Sequence, residues 1–231
     1  MQGCPFPPKL EPLAVRIPDM SFPSSSRGFS ILIVLVVGVS LSALAQEAVV
    51  GPVKPETNAG RCPANASILT TKSGAPGWNG WGVDPHNRRF QPAAQAGLTG
   101  NNVPRLRLKW AFGFAGASIA FSQPAVVGGR LIVGSESGDV FALKPDSGCI
   151  EWTFHAQGSV RTGFVVGPGS IKRAQSGVVY LGDQHGFVYA LDSATGQLLW
   201  KVQADLHPAA MITGTPQLWQ GRLAQQVCAH R

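Results

Sequence analysis

Charged residues are scarce in this chain, and this scarcity narrows the class of protein to which it can belong. Asp, Glu, Lys and Arg make up 13% of the 231 residues, about half the share usual in globular proteins. The formal net charge is +7, yet no run of basic residues is longer than two. Without a basic stripe interleaved with aromatic side chains, a nucleic-acid-binding surface is not predicted.

Cysteine is also rare, and the spacings of cysteine and histidine do not predict a c-type haem or a metal site. Four cysteines occur, and none forms the Cys-x-x-Cys-His pattern that attaches c-type haem. No pair of histidines has the spacing of metal ligands. A disulfide between Cys62 and either Cys149 or Cys228 suits an oxidising compartment, but the spacing does not select one pairing.

Long apolar runs are missing as well. The run at residues 31–44 has about 14 residues, short of the roughly 20 that span a bilayer as a helix. It follows Arg27 and closes in Ala-Leu-Ala at 43–45, which is the pattern of a cleavable signal peptide. Residues 1–45 are therefore predicted to be a leader, with translation starting at Met20, and the protein is expected to be periplasmic or secreted without a stable membrane span.

Glycine and proline, by contrast, are abundant, with 28 and 18 residues. Their number suits a turn-rich all-β protein. Residues 46–77 are rich in both and show no apolar period, so this part of the chain is predicted to be a flexible, extended linker.

Two stretches of the chain repeat each other 48 residues apart (186 − 138). Residues 138–152 read GDVFALKPDSGCIEW, and residues 186–200 read GFVYALDSATGQLLW. Gly, Val, an aromatic residue, Ala, Leu, Gly and Trp fall at the same seven offsets. Self-similarity at a period of roughly 40–50 residues predicts a repeat architecture.

Each repeat unit has the composition of a β-sheet blade. An apolar run precedes the shared core, at residues 125–134 in the first unit and 177–182 in the second. Short β-branched and aromatic segments separated by Gly, Asp and Ser turns indicate a four-stranded antiparallel meander. The units show none of the 3.6-residue apolar period of a helix. We therefore predict an all-β fold, a partial β-propeller over residues 78–223.

The blade motif resembles that of a known family. Ala-Leu-x-x-x-x-Gly-x-x-x-Trp ends at Trp152 and at Trp200, and Trp110 is a third copy of the tryptophan. The motif is similar to the tryptophan-docking repeat of the pyrroloquinoline quinone (PQQ) dehydrogenases, where the indole of one blade packs against the turn glycine of its neighbour. The lead-in at residues 78–106, beginning WNGWG, looks like the N-terminal part of these enzymes, in particular the polyvinyl-alcohol dehydrogenases.

The resemblance implies a ring of roughly eight blades, of which this chain holds about two and a half. The pattern is lost after Leu223, and residues 224–231 are predicted to be an aberrant tail. The chain is thus expected to be the N-terminal fragment of a periplasmic PQQ-dependent alcohol dehydrogenase of the polyvinyl-alcohol type, inactive alone. The alternative is a non-catalytic propeller that acts as a protein-binding or outer-membrane assembly scaffold, so whether the chain is an enzyme stays open.

The resemblance also implies which residues contact PQQ, in the loops that lead into the inner strands. Arg161 matches the arginine that these enzymes place on the quinone oxygens. Thr213 and Thr215 match threonines that bind a cofactor carboxylate. In the first loop, Ser122 and Gln123 can hydrogen-bond the cofactor, and Gln123 joins the candidate site. The alternative to cofactor binding is that the arginine is a solvated loop residue and that the threonines are ordinary strand residues with high β-propensity.

Neither a catalytic residue nor a metal ligand is predicted in this chain. In the family, the catalytic aspartate and the calcium ligands come from later blades, so calcium is expected in the full-length protein. The partners that the resemblance implies are an alcohol substrate and a separate cytochrome c that accepts electrons.

Overall fold

The computed structural model describes residues 60–63, 77–84, 86–168 and 177–229. The predicted leader and residues 46–59 and 64–76 of the predicted linker lie outside these ranges. Within the described lead-in, the chain forms a short helix, α1 (Ala93–Ala96), and a 3₁₀ turn at Val103–Arg105. No helix in the described ranges combines the length and the apolar character needed for a membrane crossing.

The first repeat unit is a four-stranded antiparallel sheet, as the turn chemistry predicts. Its strands are β1 (Ala125–Val127), β2 (Arg130–Gly134), β3 (Asp139–Leu143) and β4 (Ile150–His155), in the order β1-β2-β3-β4. Gly138 turns the chain from β2 into β3 at φ 91°, a left-handed conformation that glycine adopts without strain. We call this sheet blade 1.

The second unit repeats blade 1 in every strand. Blade 2 consists of β5 (Val165–Gly167), β6 (Val178–Gly182), β7 (Phe187–Asp192) and β8 (Leu198–Gln203), again in chain order. The register shifts between Ala142 and Leu143 in blade 1 and between Ala190 and Leu191 in blade 2. The two units thus share even their irregularity, which confirms the blade-by-blade prediction.

The third unit consists of short strands in two separate pairs. They are β9 (Ala210–Met211), β10 (Gln217–Trp219), β11 (Arg222–Ala224) and β12 (Cys228–Ala229). β10 pairs with β11, and β12 pairs with β9. Parts of the predicted tail therefore take strand conformation, since Ala224 ends β11 and Cys228–Ala229 form β12.

The blades pack through their tryptophans. Trp152 of β4 is 4% exposed, and its indole Nε1 donates to the carbonyl of Ser193 at 3.0 Å. The ring covers Gly196 so closely that a Cβ there would lie 2.5 Å from the indole Cε3. Trp110 covers Gly148 in the same way, and a Cβ there would lie 2.8 Å from its ring.

Residues 60–62, within the predicted linker, lie against the outer edge of blade 1. The amide of Ile150 donates to the carbonyl of Gly60 at 2.7 Å, and the amide of Cys62 donates to the carbonyl of Ile150 at 2.9 Å. Cys62 forms a disulfide with Cys149, with their Cα atoms 5.0 Å apart. The structure thereby selects one of the two pairings that the sequence left open for Cys62.

Candidate functional site

Three loops lead into β1, β5 and β10, and they place the candidate residues at matching positions. Arg161 and Thr213 both lie four residues before the strand that follows, at Val165 and Gln217. Gln123 and Thr215 both lie two residues before their strands. We call these segments the entry loops.

Two of the candidate side chains meet at a glycine of the second entry loop. The amide of Gly163 donates to Thr215 Oγ1 at 2.8 Å. A Cβ on Gly163 would lie 2.8 Å from that oxygen and 3.6 Å from the Cβ of Gln123. The missing side chain therefore lets the first and third entry loops approach the second from both sides, and the structure brings Gln123 and Thr215 together.

Arg161 has a guanidinium that is held by a ring rather than by a carboxylate. Its Cζ lies 4.2 Å from the ring centroid of Phe121, a cation–π contact. Phe121 occupies the position of Arg161 in the first entry loop and is 44% exposed. Among the described residues, no acceptor takes a hydrogen bond from Arg161, so its N–H groups can serve a ligand.

Thr213, unlike the other three candidates, has no side-chain contact of this kind among the described residues. It is exposed, and its hydroxyl makes no hydrogen bond within the described part of the chain. The structure therefore leaves Thr213 at the surface of the third entry loop.

Residues of the lead-in also contact the candidate site. The sequence predicted them only as a mark of the family and not as part of the site. The Asn79 side chain binds the backbone of Val166 twice, donating to its carbonyl at 2.9 Å and accepting from its amide at 2.8 Å. Trp78 pairs with Val126 of β1. The lead-in thus lies between the first strands of both blades, and the carbonyl of Trp81 accepts a hydrogen bond from Gln123 Nε2 at 3.2 Å.

Two buried hydroxyls fix the second entry loop. Ser122 Oγ donates to the carbonyl of Thr162 at 2.6 Å. Thr162, fully buried, donates through Oγ1 to the carbonyl of Gly182 at 3.0 Å and accepts from its amide at 3.2 Å. Ser122 therefore holds the loop that carries Arg161.

The buried carboxylate of Asp183 accepts four hydrogen bonds from the surrounding fold. Its Oδ1 accepts from the amides of His185 and Phe187, the turn role expected for an Asp at this place. Its Oδ2 accepts from the amide of Gly158 at 2.9 Å and from the Tyr189 hydroxyl at 2.6 Å. Burial and the bond to Asp183 raise the pKa of Tyr189 above its ordinary value.

A metal centre is not formed by the side chains that the structure describes. In residues 60–63, 77–84, 86–168 and 177–229, no three His, Cys, Asp or Glu side chains are grouped as metal ligands. The predicted site residues of the entry loops are therefore one arginine, two threonines and one glutamine, next to the exposed ring of Phe121.

Blades of this kind with tryptophan docking define a PQQ-repeat propeller. The model of the PQQ_2 family, described as outer membrane protein assembly factor BamB, matches residues 69–230, and the chain belongs to this family.

Individual relatives are polyvinylalcohol dehydrogenases and quinohemoprotein alcohol dehydrogenases. Over 146 residues, the chain is 39% identical to a polyvinylalcohol dehydrogenase of Pseudomonas sp. and 36% identical to one of Sphingopyxis sp. (strain 113P3). Each match covers 63% of this chain and 22% of the relative. The crystal structure of quinohemoprotein alcohol dehydrogenase from Comamonas testosteroni superposes with a TM-score of 0.55 at 25% identity, over 71% of this chain and 24% of that one. The chain thus spans about a quarter or less of the length of these relatives.

Proposed function

We propose that this chain forms the N-terminal blades of a periplasmic PQQ-dependent alcohol dehydrogenase of the polyvinyl-alcohol type. The observation that carries the proposal is the guanidinium of Arg161, which lies in an entry loop without an acceptor among the described residues, 4.2 Å from the Phe121 ring centroid. The similarity to polyvinylalcohol dehydrogenases at 36% and 39% identity supports the same substrate class.

The entry loops have the chemistry that PQQ requires. PQQ is a planar quinone with three carboxylates, so its site needs cationic and hydrogen-bonding groups next to flat apolar surface. Arg161 supplies the charge, and a guanidinium suits carboxylate and quinone oxygens because its donors form a planar fork. Thr215 keeps its hydroxyl hydrogen for a carboxylate, since its Oγ1 accepts from Gly163.

Each residue has a distinct role in this proposal. PQQ, when bound, supplies the acceptor for the hydride of the alcohol. Arg161 holds positive charge beside the quinone oxygens, where it favours charge that develops during the reaction. Thr213 and Thr215 bind a carboxylate of the cofactor, and the Gln123 amide orients it from the first entry loop.

The proton of the alcohol needs a base that these loops do not provide. The carboxylate of Asp205, which precedes β10 in the chain, accepts from the amide of His207 at 2.8 Å, which is a turn interaction. We therefore place the base and the calcium ligands in further blades, with a cytochrome c as electron acceptor, and we expect no alcohol oxidation by this chain alone.

A second function follows from the description of the family model. That description names an outer-membrane assembly factor, so a non-catalytic scaffold that binds protein through its loops is the competing proposal. The two differ in whether the entry loops bind a quinone.

Equilibrium dialysis of PQQ against the chain and its Arg161→Ala variant distinguishes them. We expect weak binding by the wild type and about a tenfold or greater loss in the variant, because a hydrogen bond to a charged group contributes roughly 1.5–3 kcal/mol. Arg105→Ala removes one exposed positive charge of the lead-in and serves as the matched control. Equal affinity in all three proteins, or no binding, would contradict the cofactor role and favour the scaffold.

A further inference from the structure

The turn of the lead-in carries a second arginine stacked on an aromatic ring. Arg89 Cζ lies 5.8 Å from the centroid of the Trp81 ring, a cation–π contact of the kind that Arg161 makes with Phe121. Trp81 is 44% exposed, as Phe121 is. Among the described residues, the Arg89 side chain donates only to Asn87 Oδ1, through Nε at 3.2 Å. Both terminal nitrogens of its guanidinium can therefore serve a ligand.

The shape of this turn is imposed on residues that do not favour it. Val83 and Asn87 have positive φ angles of 74° and 54°, and Arg89 has one of 52°. Left-handed backbone is costly for a β-branched residue such as Val83, and such strain persists only where the surroundings determine the conformation. The Arg89 amide donates to the Gly82 carbonyl at 3.0 Å and closes the turn. The closed turn holds the arginine beside the Trp81 ring before any ligand binds.

The Trp81–Arg89 pair lies beside the candidate site. Gln123 Nε2 donates to the Trp81 carbonyl at 3.2 Å, and Phe121 lies two residues before Gln123 in the first entry loop. Gln123 Oε1 accepts no hydrogen bond from a residue that the structure describes. Gln123 therefore connects the Trp81–Arg89 pair to the Phe121–Arg161 pair and keeps one oxygen for a ligand.

The groups of this surface suit a chain in which methylene groups alternate with hydroxyl-bearing carbons. Flat aromatic rings bury apolar groups over a large area. A guanidinium donates hydrogen bonds, and an amide oxygen accepts them, so the two together satisfy hydroxyls. The rings hold both arginines without a carboxylate among the described residues. The donors of Arg89 are therefore not already used by an ion pair.

We propose that Trp81 and Arg89 form a binding subsite for the chain of a polyvinyl-alcohol substrate, next to the entry loops. The choice of ligand rests on the proposed function, since a polymer that presents one hydroxyl to the quinone has its remaining length outside the cofactor site. Methylene groups of the polymer lie on the Trp81 ring, while Arg89 and Gln123 Oε1 bind its hydroxyls. The subsite holds the substrate and takes no part in the chemical step.

Affinity electrophoresis in native gels that contain polyvinyl alcohol tests the subsite on the chain as it is. Trp81→Ala removes the ring and keeps the backbone carbonyl that Gln123 binds. Its matched control is Trp219→Ala, which has the same composition and charge and removes a ring of β10 that is 55% exposed. We expect Trp219→Ala to be retarded as the wild type is. Trp81→Ala should bind about fivefold or more weakly, the loss typical of an aromatic anchor.

A second pair of variants with identical composition tests the guanidinium. Arg89→Ala should bind the polymer about 2- to 10-fold more weakly, and Arg105→Ala should bind as the wild type does. Gels that contain polyethylene glycol, which has no hydroxyls along its chain, should retard none of the proteins specifically.

Equal retardation of Trp81→Ala and Trp219→Ala would overturn the subsite, and so would equal retardation by the two polymers. Equilibrium dialysis of PQQ decides the cofactor role separately. Trp81→Ala should keep the PQQ affinity of the wild type. A failure of every protein to bind PQQ would contradict the proposed function, and the electrophoresis would still decide the subsite.

Discussion

Replacing Trp152 by alanine tests the packing between blades 1 and 2. The ring is 4% exposed, lies on Gly196, and donates to the Ser193 carbonyl. Removing so large a buried side chain leaves a cavity at the interface and typically costs about 3–5 kcal/mol of unfolding free energy. For a chain of this length each kcal/mol lowers Tm by roughly 2–4 °C, so a fall of roughly 6–20 °C is expected.

Urea denaturation followed by far-ultraviolet circular dichroism measures this loss, with thermal melts as a second reading. Trp219→Ala is the matched control, because that tryptophan is 55% exposed and its loss should change stability by about 0.5 kcal/mol or less. Trp152→Phe should lie between the two, since it keeps a ring and loses the hydrogen bond. Equal midpoints for Trp152→Ala and Trp219→Ala would refute the docking of Trp152 on blade 2.

Three further predictions follow from other parts of the chain. N-terminal sequencing of exported protein should begin at Gln46, and an intact leader in a membrane fraction would reject the signal peptide. The Cys62–Cys149 disulfide spans 87 positions, which corresponds to a stabilisation of up to about 4–5 kcal/mol; the double alanine variant should have a lower urea midpoint, and an unchanged one would contradict this. Tyr189→Phe should cost about 1–3 kcal/mol at neutral pH, because Asp183 loses a buried donor. Since the pKa of Tyr189 is raised in the folded state, its stabilisation is complete below the ordinary tyrosine pKa of about 10 and is lost as the pH rises through the folded-state value. The variant should therefore lose less stability in alkali than the wild type does, and parallel declines would disprove the linkage.

The repeat made the fold predictable, because seven shared offsets specify the same strands and turns twice. The docking of Trp152 followed from the motif for the same reason. The choice of Cys149 as the partner of Cys62 was not predictable, since it depends on residues 60–62 lying beside β4. An incomplete third unit was predicted, but the pairing of β9 with β12 was not, because it does not follow the pattern of blades 1 and 2.

The candidate site was predictable in its loops and less so in its contacts. Arg161, Thr215 and Gln123 were singled out from the positions that they share with a family. That Gln123 and Thr215 meet at Gly163 depends on how the blades are set beside one another, which no local pattern contains. The ring under Arg161 was missed although its signal was available, because Phe121 lies at the same distance from its strand as Arg161 does.

The side-chain amide of Asn79 has a consequence for the chemical ageing of the protein. Asn79 precedes Gly80, and an asparagine before glycine deamidates readily when the glycine nitrogen is free to attack the side chain. Here that nitrogen donates to the carbonyl of Phe164 at 3.0 Å, and the amide is held on Val166 from both sides. Deamidation would replace the donor of Asn79 by an oxygen that faces the Val166 carbonyl, and the contact between the lead-in and blade 2 would lose a hydrogen bond. That same contact holds the Asn79 amide and the Gly80 nitrogen in place, and so protects Asn79 from deamidation. Peptide mapping after storage should find Asn79 intact in the folded protein and converted in the unfolded chain, and equal conversion in both would contradict this protection.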